Sequence, residues 1–140
     1  MRVVCPHCIS INNISLQESY KKANCQKCKK SLLDAKPIEL TTSNFDEVIL
    51  NSDIPVIVNF WAPWCSPCTT MSSNFEKSAA KFPLKILFTK VNTENERSLD
   101  EKFAIKSIPT LIVFKNSEEI HRVVGALDGD NLDSLASRFI

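Results

Sequence analysis

The sequence predicts an α/β protein in which a mixed β-sheet carries helices on both faces, preceded by a small four-cysteine module at the N-terminus. Three observations lead there. Short apolar runs such as Val56-Ile57-Val58 alternate with longer stretches of helical periodicity, the pattern that builds layered sheets. All six cysteines fall in C-x-x-C pairs, Cys5/Cys8, Cys25/Cys28 and Cys65/Cys68. The first two pairs lie within residues 1–35, which have no long apolar run and carry a basic cluster at Lys27, Lys29 and Lys30. From Pro37 onward the pattern changes, so the chain divides into residues 1–35 and 36–140.

Within 1–35 the two C-x-x-C pairs are separated by 16 residues, the two-knuckle spacing of a tetrahedral zinc site. Four sulfurs at about 2.3 Å complete the coordination shell and leave no open position, so one structural zinc per chain is expected on Cys5, Cys8, Cys25 and Cys28. Two local disulfides or four free thiols are the alternatives. So short a segment has little core of its own, and metal binding would supply most of its folding energy. His7, between two ligands, is expected to face solvent, because four cysteines already complete the set.

The second unit opens with a short strand at Ile38-Glu39-Leu40, and Thr41 to Asn44 offer helix caps before Phe45, Val48, Ile49 and Leu50 at helical spacing. The run from Val56 to Phe60 is apolar almost throughout, as a strand covered on both faces must be. It feeds a helix expected to start near Cys65 and end near Phe82. Residues 85–91 read as a strand, 94–103 as a helix, 110–114 and 119–124 as two strands joined by a short turn, and 130–139 as a last helix. The order is βαβαβαββα. His121, alternating within a strand, reads as a surface residue.

Cys65 and Cys68 sit one helical turn apart at a strand-to-helix junction, in Trp61-Ala62-Pro63-Trp64-Cys65-Ser66-Pro67-Cys68. A helix N-terminus offers unpaired N–H groups and partial positive charge, which favour a thiolate over a thiol. Such placement lowers a cysteine pKa from about 8.5 to roughly 3.5–7.5, and the thiolate is the nucleophile. Cys65 is therefore the expected attacking sulfur. Cys68, on the same face three residues on, is placed to resolve the mixed disulfide that Cys65 forms.

Phe60-Trp61-Ala62, Trp64-Cys65-x-Pro67-Cys68, Lys90-Val91-Asn92, Ile108-Pro109-Thr110 and Val124-Gly125-Ala126 together resemble the thioredoxin family, over roughly residues 37–140. With its cysteine-rich start the whole chain is similar to the thioredoxin 2 type, which carries a zinc-binding extension. The resemblance implies reduction of protein disulfides through a Cys65/Cys68 dithiol cycle, with recharging by an NADPH-dependent reductase that is a partner and not a bound cofactor. It also implies a cis Pro109 facing Cys65, an Ile108 backbone that pairs with an extended substrate, and substrate contacts at Trp64 and Gly125. Three positions depart from the family pattern. Asn59 stands where a buried Asp is usual, so Lys90 is expected to lack its carboxylate partner; Ser66, before Pro67, replaces a glycine; and Ser73 replaces a helix proline. The first two are expected to tune the redox behaviour.

Charge and composition bound the rest. Seventeen Lys and Arg against sixteen Asp and Glu leave a net charge of +1, which gives no global reason to expect nucleic acid or an anionic membrane as partner. The basic cluster reads as a solvated knuckle. No apolar stretch of signal-peptide or membrane-spanning length is present, so a cytoplasmic protein is expected; a monomer without bound organic cofactor is expected as well. Two rival readings stay open: a thiol oxidase or isomerase on the same fold, and a zinc-controlled, redox-responsive binding or holdase protein.

Overall fold

In the computed structural model, which describes all 140 residues, eleven elements follow one another: β1 (Arg2–Val4), β2 (Ile11–Asn13), β3 (Ile38–Leu40), α1 (Phe45–Leu50), β4 (Val56–Trp61), α2 (Ser66–Lys81), β5 (Leu87–Asn92), α3 (Arg97–Lys102), β6 (Thr110–Lys115), β7 (Glu118–Val124) and α4 (Gly129–Ser137). From β3 on this is the βαβαβαββα order read from the sequence. The five long-range strands form one mixed sheet in the order β3-β5-β4-β6-β7. β3, β5 and β4 run parallel, while β6 and β7 run antiparallel.

The periodicities explain the layers. β4 is buried along its length up to Phe60 because side chains pack on both of its faces. Val58 and Phe60 point into a core shared with Phe45, Val48 and Leu99 of α1 and α3, while Ile57 points into a second core with Met71 and Phe75 of α2 and Leu132 of α4. On α2 the buried positions Cys68, Met71, Phe75, Ser78 and Ala79 recur every three or four residues, so one stripe of the helix faces the sheet. The helix runs unbroken past Ser73.

Local chemistry moved some boundaries. The expected helix over 94–103 shortens to Arg97–Lys102, because the Asn92 side chain accepts the Glu94 N–H at 3.0 Å and the Asn92 carbonyl accepts those of Asn95 and Glu96, which winds the chain into a turn first. Asn44 precedes α1 but does not cap it; its Oδ1 accepts the Thr41 N–H at 2.7 Å instead. The turn between β6 and β7 places Asn116 and Ser117 at φ 52 and 67°, the left-handed pair of a tight hairpin.

The N-terminal residues have more order than the sequence suggested. β1 and β2 pair as an antiparallel hairpin, with an isolated bridge between Asn24 and Ser31. This module is continuous with the main core: Val3, Val4, Cys5, Cys25 and Leu32 pack in one cluster with Ile38, Leu40, Ile54, Leu84 and Leu87. Polar contacts fix the same junction. The Arg2 N–H donates to Asp53 Oδ2 at 2.6 Å, the Arg2 guanidinium reaches Asp53 Oδ1 at 3.0 Å, and the Asp53 N–H donates to the Arg2 carbonyl at 3.0 Å. The Arg2 backbone and side-chain hydrogen bonds hold the Asp53 carboxyl below its ordinary pKa.

A candidate redox site and a four-cysteine cluster

Strand β4 ends at Trp61, and Ala62, Pro63 and Trp64 carry the chain round to Cys65, which takes the N-cap position of α2. Its φ and ψ of −84 and 108° are extended, as an N-cap requires, and its sulfur accepts the Cys68 N–H at 3.3 Å. A sulfur thus does the work usually given to a Ser or Asp oxygen, directly under the first free amides of the helix. Ser66 and Pro67 fill the first turn, where a proline forfeits no helical hydrogen bond. Cys65 and Cys68 are joined as a disulfide with their Cα atoms 5.3 Å apart.

A second loop meets this turn. The Ile108–Pro109 peptide is cis, and Cys65 Sγ lies 3.8 Å from the Ile108 carbonyl oxygen. The N–H of Gly125, whose φ of +104° suits glycine, donates to the Pro109 carbonyl at 2.8 Å and ties the end of β7 to the same loop. Trp64 stands 71 % exposed beside a disulfide that is almost covered, Cys65 at 4 % and Cys68 at 2 %. Trp64, Ile108 and Ile105 line one open groove next to Cys65. The geometry therefore brings Trp64, Cys65, Ile108, Pro109 and Gly125 to one rim.

This rim and its dithiol turn coincide with a match to the family model described as thioredoxin, over residues 36–138. The chain belongs to the thioredoxin family. Thioredoxin C-3 of Corynebacterium nephridii is 38 % identical over 127 residues, 91 % of this chain and 87 % of that one. Being longer than the stretch from residue 36 to the C-terminus, this match runs into the N-terminal module. Thioredoxin of Porphyra purpurea is 35 % identical over 102 residues, 73 % of this chain and 95 % of its own length. Among solved structures, a mutant thioredoxin from Halobacterium salinarum NRC-1 superposes with a TM-score of 0.68 at 26 % identity, covering 74 % of this chain and 90 % of that one. As a thioredoxin, the chain is a thiol-disulfide oxidoreductase with its redox-active pair at Cys65 and Cys68.

On the inner side of the thioredoxin disulfide a cleft of about 280 Å³ is bordered by Asn59, Trp61, Cys68, Glu76 and Lys90. Asn59 pairs in register with Lys90 across β4 and β5, and Lys90 with Glu39 across β5 and β3. Lys90 Nζ lies 3.7 Å from Glu39 Oε2 and 5.6 Å from the centre of the Trp61 ring. The acid that Lys90 was expected to lose is absent, position 59 being Asn, and Glu39 on the neighbouring strand supplies a different carboxylate. Sequence reading passed over Glu39 because only the strand register aligns it with Lys90. Burial raises the Glu39 carboxyl above its ordinary value, against the lowering effect of Lys90. Asn59 Oδ1 and Trp61 Nε1, both buried, have no hydrogen-bond partner within the protein.

The other four cysteines of this thioredoxin converge at the far end, all sulfurs within 4.8 Å of one another. Two matching knuckles present them: Ile9 N–H returns to the Cys5 carbonyl at 3.0 Å and Lys29 N–H to the Cys25 carbonyl at 2.9 Å, with Ile9 and Lys29 at φ 66 and 69°. Cys5 and Cys28 sulfurs are 3.7 Å apart and those of Cys8 and Cys25 3.6 Å. A tetrahedral shell with bonds of about 2.3 Å requires sulfur separations of about 3.8 Å, so the set fits such a metal ion. Burial pushes the Cys5 thiol up to about 12. At Cys25 burial pushes the same way but is outweighed by hydrogen bonds from Ser10, the Cys28 N–H and Asn12, which bring it down to about 5.

The expectation that His7 faces solvent is corrected: its side chain is only 5 % exposed, with Nε2 3.2 Å from the Ser31 carbonyl and 3.5 Å from Asp34 Oδ2. Its ring reaches from the first knuckle to the Ser31 carbonyl and the Asp34 carboxylate that follow the second. His121 is half-buried on β7, its ring centre 5.5 Å from that of Phe139.

Proposed function

We propose that this thioredoxin reduces protein disulfides in the cytoplasm through its Cys-Ser-Pro-Cys dithiol, with Cys65 as nucleophile and Cys68 as resolving thiol, and that it is of the thioredoxin 2 type. The supporting observation is the position of the Cys65 sulfur, which receives the Cys68 N–H at the mouth of α2 and lies 3.8 Å from the Ile108 carbonyl oxygen. Cys65 attacks a substrate disulfide, forming a mixed disulfide and releasing one substrate thiolate. Cys68 then attacks Cys65 Sγ, closing the intramolecular disulfide and freeing the second thiolate. An extended substrate would lie along Ile108 and Pro109, with Trp64 and Gly125 on its flanks. Ser66 and Pro67 set the first turn, Asn59 and Lys90 the inner environment of Cys68. A thioredoxin reductase, in our reading NADPH-dependent, returns the pair to the dithiol, and the protein acts as a monomer.

Cys5, Cys8, Cys25 and Cys28 would hold one zinc. With four protein sulfurs its shell is closed, so the metal supplies rigidity and no chemistry at the disulfide. A reducing compartment suits both four free thiolates and a dithiol reductant.

The test of the redox assignment is trapping. Cys68→Ser should still attack and accumulate a covalent adduct with a substrate disulfide, while Cys65→Ser should form none and reduce nothing; adducts on Cys65→Ser would reverse the roles. Metal analysis of protein purified without chelator should give about one zinc per chain, lost on joint replacement of Cys5 and Cys25 by Ser. Zinc retained by that double variant would place the ligands elsewhere.

A further inference from the structure

Cys68 is 2 % exposed and borders the inner cleft, so the proton that its thiol must give up before attacking leaves by way of that cleft. Asn59, the strand residue that shares the inner cleft with it, is a carboxamide and cannot take a proton. The cleft is nevertheless polar and roomy: about 280 Å³, against about 30 Å³ for a water molecule, with two buried polar atoms that have no protein partner, Asn59 Oδ1 and Trp61 Nε1. Water is their natural partner. From Asn59 a polar row crosses the sheet in register to Lys90 and then to Glu39 on the edge strand β3, where the ion pair closes at 3.7 Å.

We propose that Glu39, held by Lys90 at the outer end of this row, is the relay carboxylate that accepts the Cys68 proton through cleft water and returns it in the reverse half of the cycle. The inference rests on the reading that Cys68 resolves the mixed disulfide. In that step the Cys68 S–H proton passes through water to the Glu39 carboxylate, giving a neutral carboxyl. The sulfur's electron pair forms the Cys65–Cys68 bond. The bond from Cys65 to the substrate sulfur breaks, and its electron pair leaves with that sulfur, which takes a proton from solvent. Glu39 then releases its proton to solvent. The dithiol is oxidised by two electrons and the substrate reduced by two.

The charges around Glu39 suit the task. Burial raises its carboxyl, Lys90 opposes this by charge and hydrogen bond, and Glu96, at the start of α3, raises it further. A base works best when its pKa approaches the operating pH. Glu39 stands beyond the lining, paired to Lys90, and the carboxylate that lines the cleft itself is Glu76, which lies about 12 Å further along α2 than Cys68. It provides the comparison.

The experiment is rapid-quench measurement of mixed-disulfide formation and decay in the full-length protein, with a labelled peptide disulfide as probe and pH varied across the neutral range. Glu39→Gln should leave formation within about twofold and slow decay by about tenfold to a hundredfold. The pH profile is the readout that a structural role would not move. Below the ionisation of Cys68, decay assisted by an ionised Glu39 is nearly level with pH, whereas unassisted decay rises about tenfold per pH unit because it needs preformed thiolate. Glu39→Gln should change the level profile to the steep one, and Glu39→Asp should keep it level. Asn59→Asp added to Glu39→Gln should restore decay by placing a carboxylate in the cleft itself. Should Glu39→Gln fold poorly, Glu39→Ala carries the test in its place and should give the same steep profile. Glu76→Gln should behave as the parent. A parent-like profile in Glu39→Gln, or a steep one in Glu76→Gln, overturns the relay. Absence of any Cys65 adduct in the parent overturns the function reading itself.

Discussion

At the scale of single residues, Asn59 separates the chemistry of this site from its packing. The carboxamide sits in an otherwise apolar strand with its Oδ1 unpartnered, a position that tolerates a neutral polar group and penalises a charged one. Asn59→Asp should therefore speed decay of the mixed disulfide yet carry a stability cost that depends on pH. Desolvation would raise the new carboxyl above its unfolded value of about 3.9. Below that value both states are protonated and no penalty exists. As pH climbs from there through the folded pKa the variant loses stability relative to the parent, then levels off. Urea unfolding of both proteins over a pH series measures this, and parallel curves would mean that the side chain reaches solvent. Part of the residue-level site was legible in the sequence, because Cys65 and Cys68 announce themselves by spacing and type, whereas Pro109 stood out only through the family resemblance. Glu39 and His7 were not, since their roles come from strand register and from the folding of one knuckle against the other.

At the scale of elements, α2 and α4 meet through one polar contact set within an apolar interface. Asp133 accepts from the buried Ser78 hydroxyl at 2.6 Å and pairs with Lys81, and the Lys81 and Ser78 hydrogen bonds hold its carboxyl below the ordinary carboxylate range. For a depressed acid the stabilisation is present above the unfolded value of about 3.9 and is lost as pH falls through the folded one. Asp133→Asn should cost about 1–2 kcal/mol at neutral pH, allowing for a partly exposed carboxylate, and should flatten the acid limb of the stability curve. Thermal unfolding at neutral and acid pH checks both. Helices and central strands were readable from the chain for a plain reason: six to sixteen residues of consistent periodicity outweigh local exceptions. The three-residue strands β1 and β2 give no such signal, because the knuckles and the shared core set them in place.

At the scale of the whole molecule, the N-terminal module and the thioredoxin domain share one core, so the two should unfold together. Leu32, 2 % exposed and packed in that common cluster, is the probe: Leu32→Ala should cost about 2–5 kcal/mol and lower the Tm of the entire protein by about 10 °C in a single calorimetric transition. Two transitions, with the later one unmoved, would show that the module folds on its own account. The sheet itself ends in two open edges, and this bears on behaviour in concentrated solution. One edge, β3, is three residues long and carries Glu39. The other, β7, carries Glu118, Glu119 and Arg122 and breaks register where β6 passes from Val113 to Phe114, leaving Ile120 unmatched and 44 % exposed. A short edge, a charged edge and a bulge are each poor templates for a further strand. A thioredoxin, which acts on disulfide-bearing proteins, thus offers them its redox pair without offering a ladder of free amides on which they could assemble.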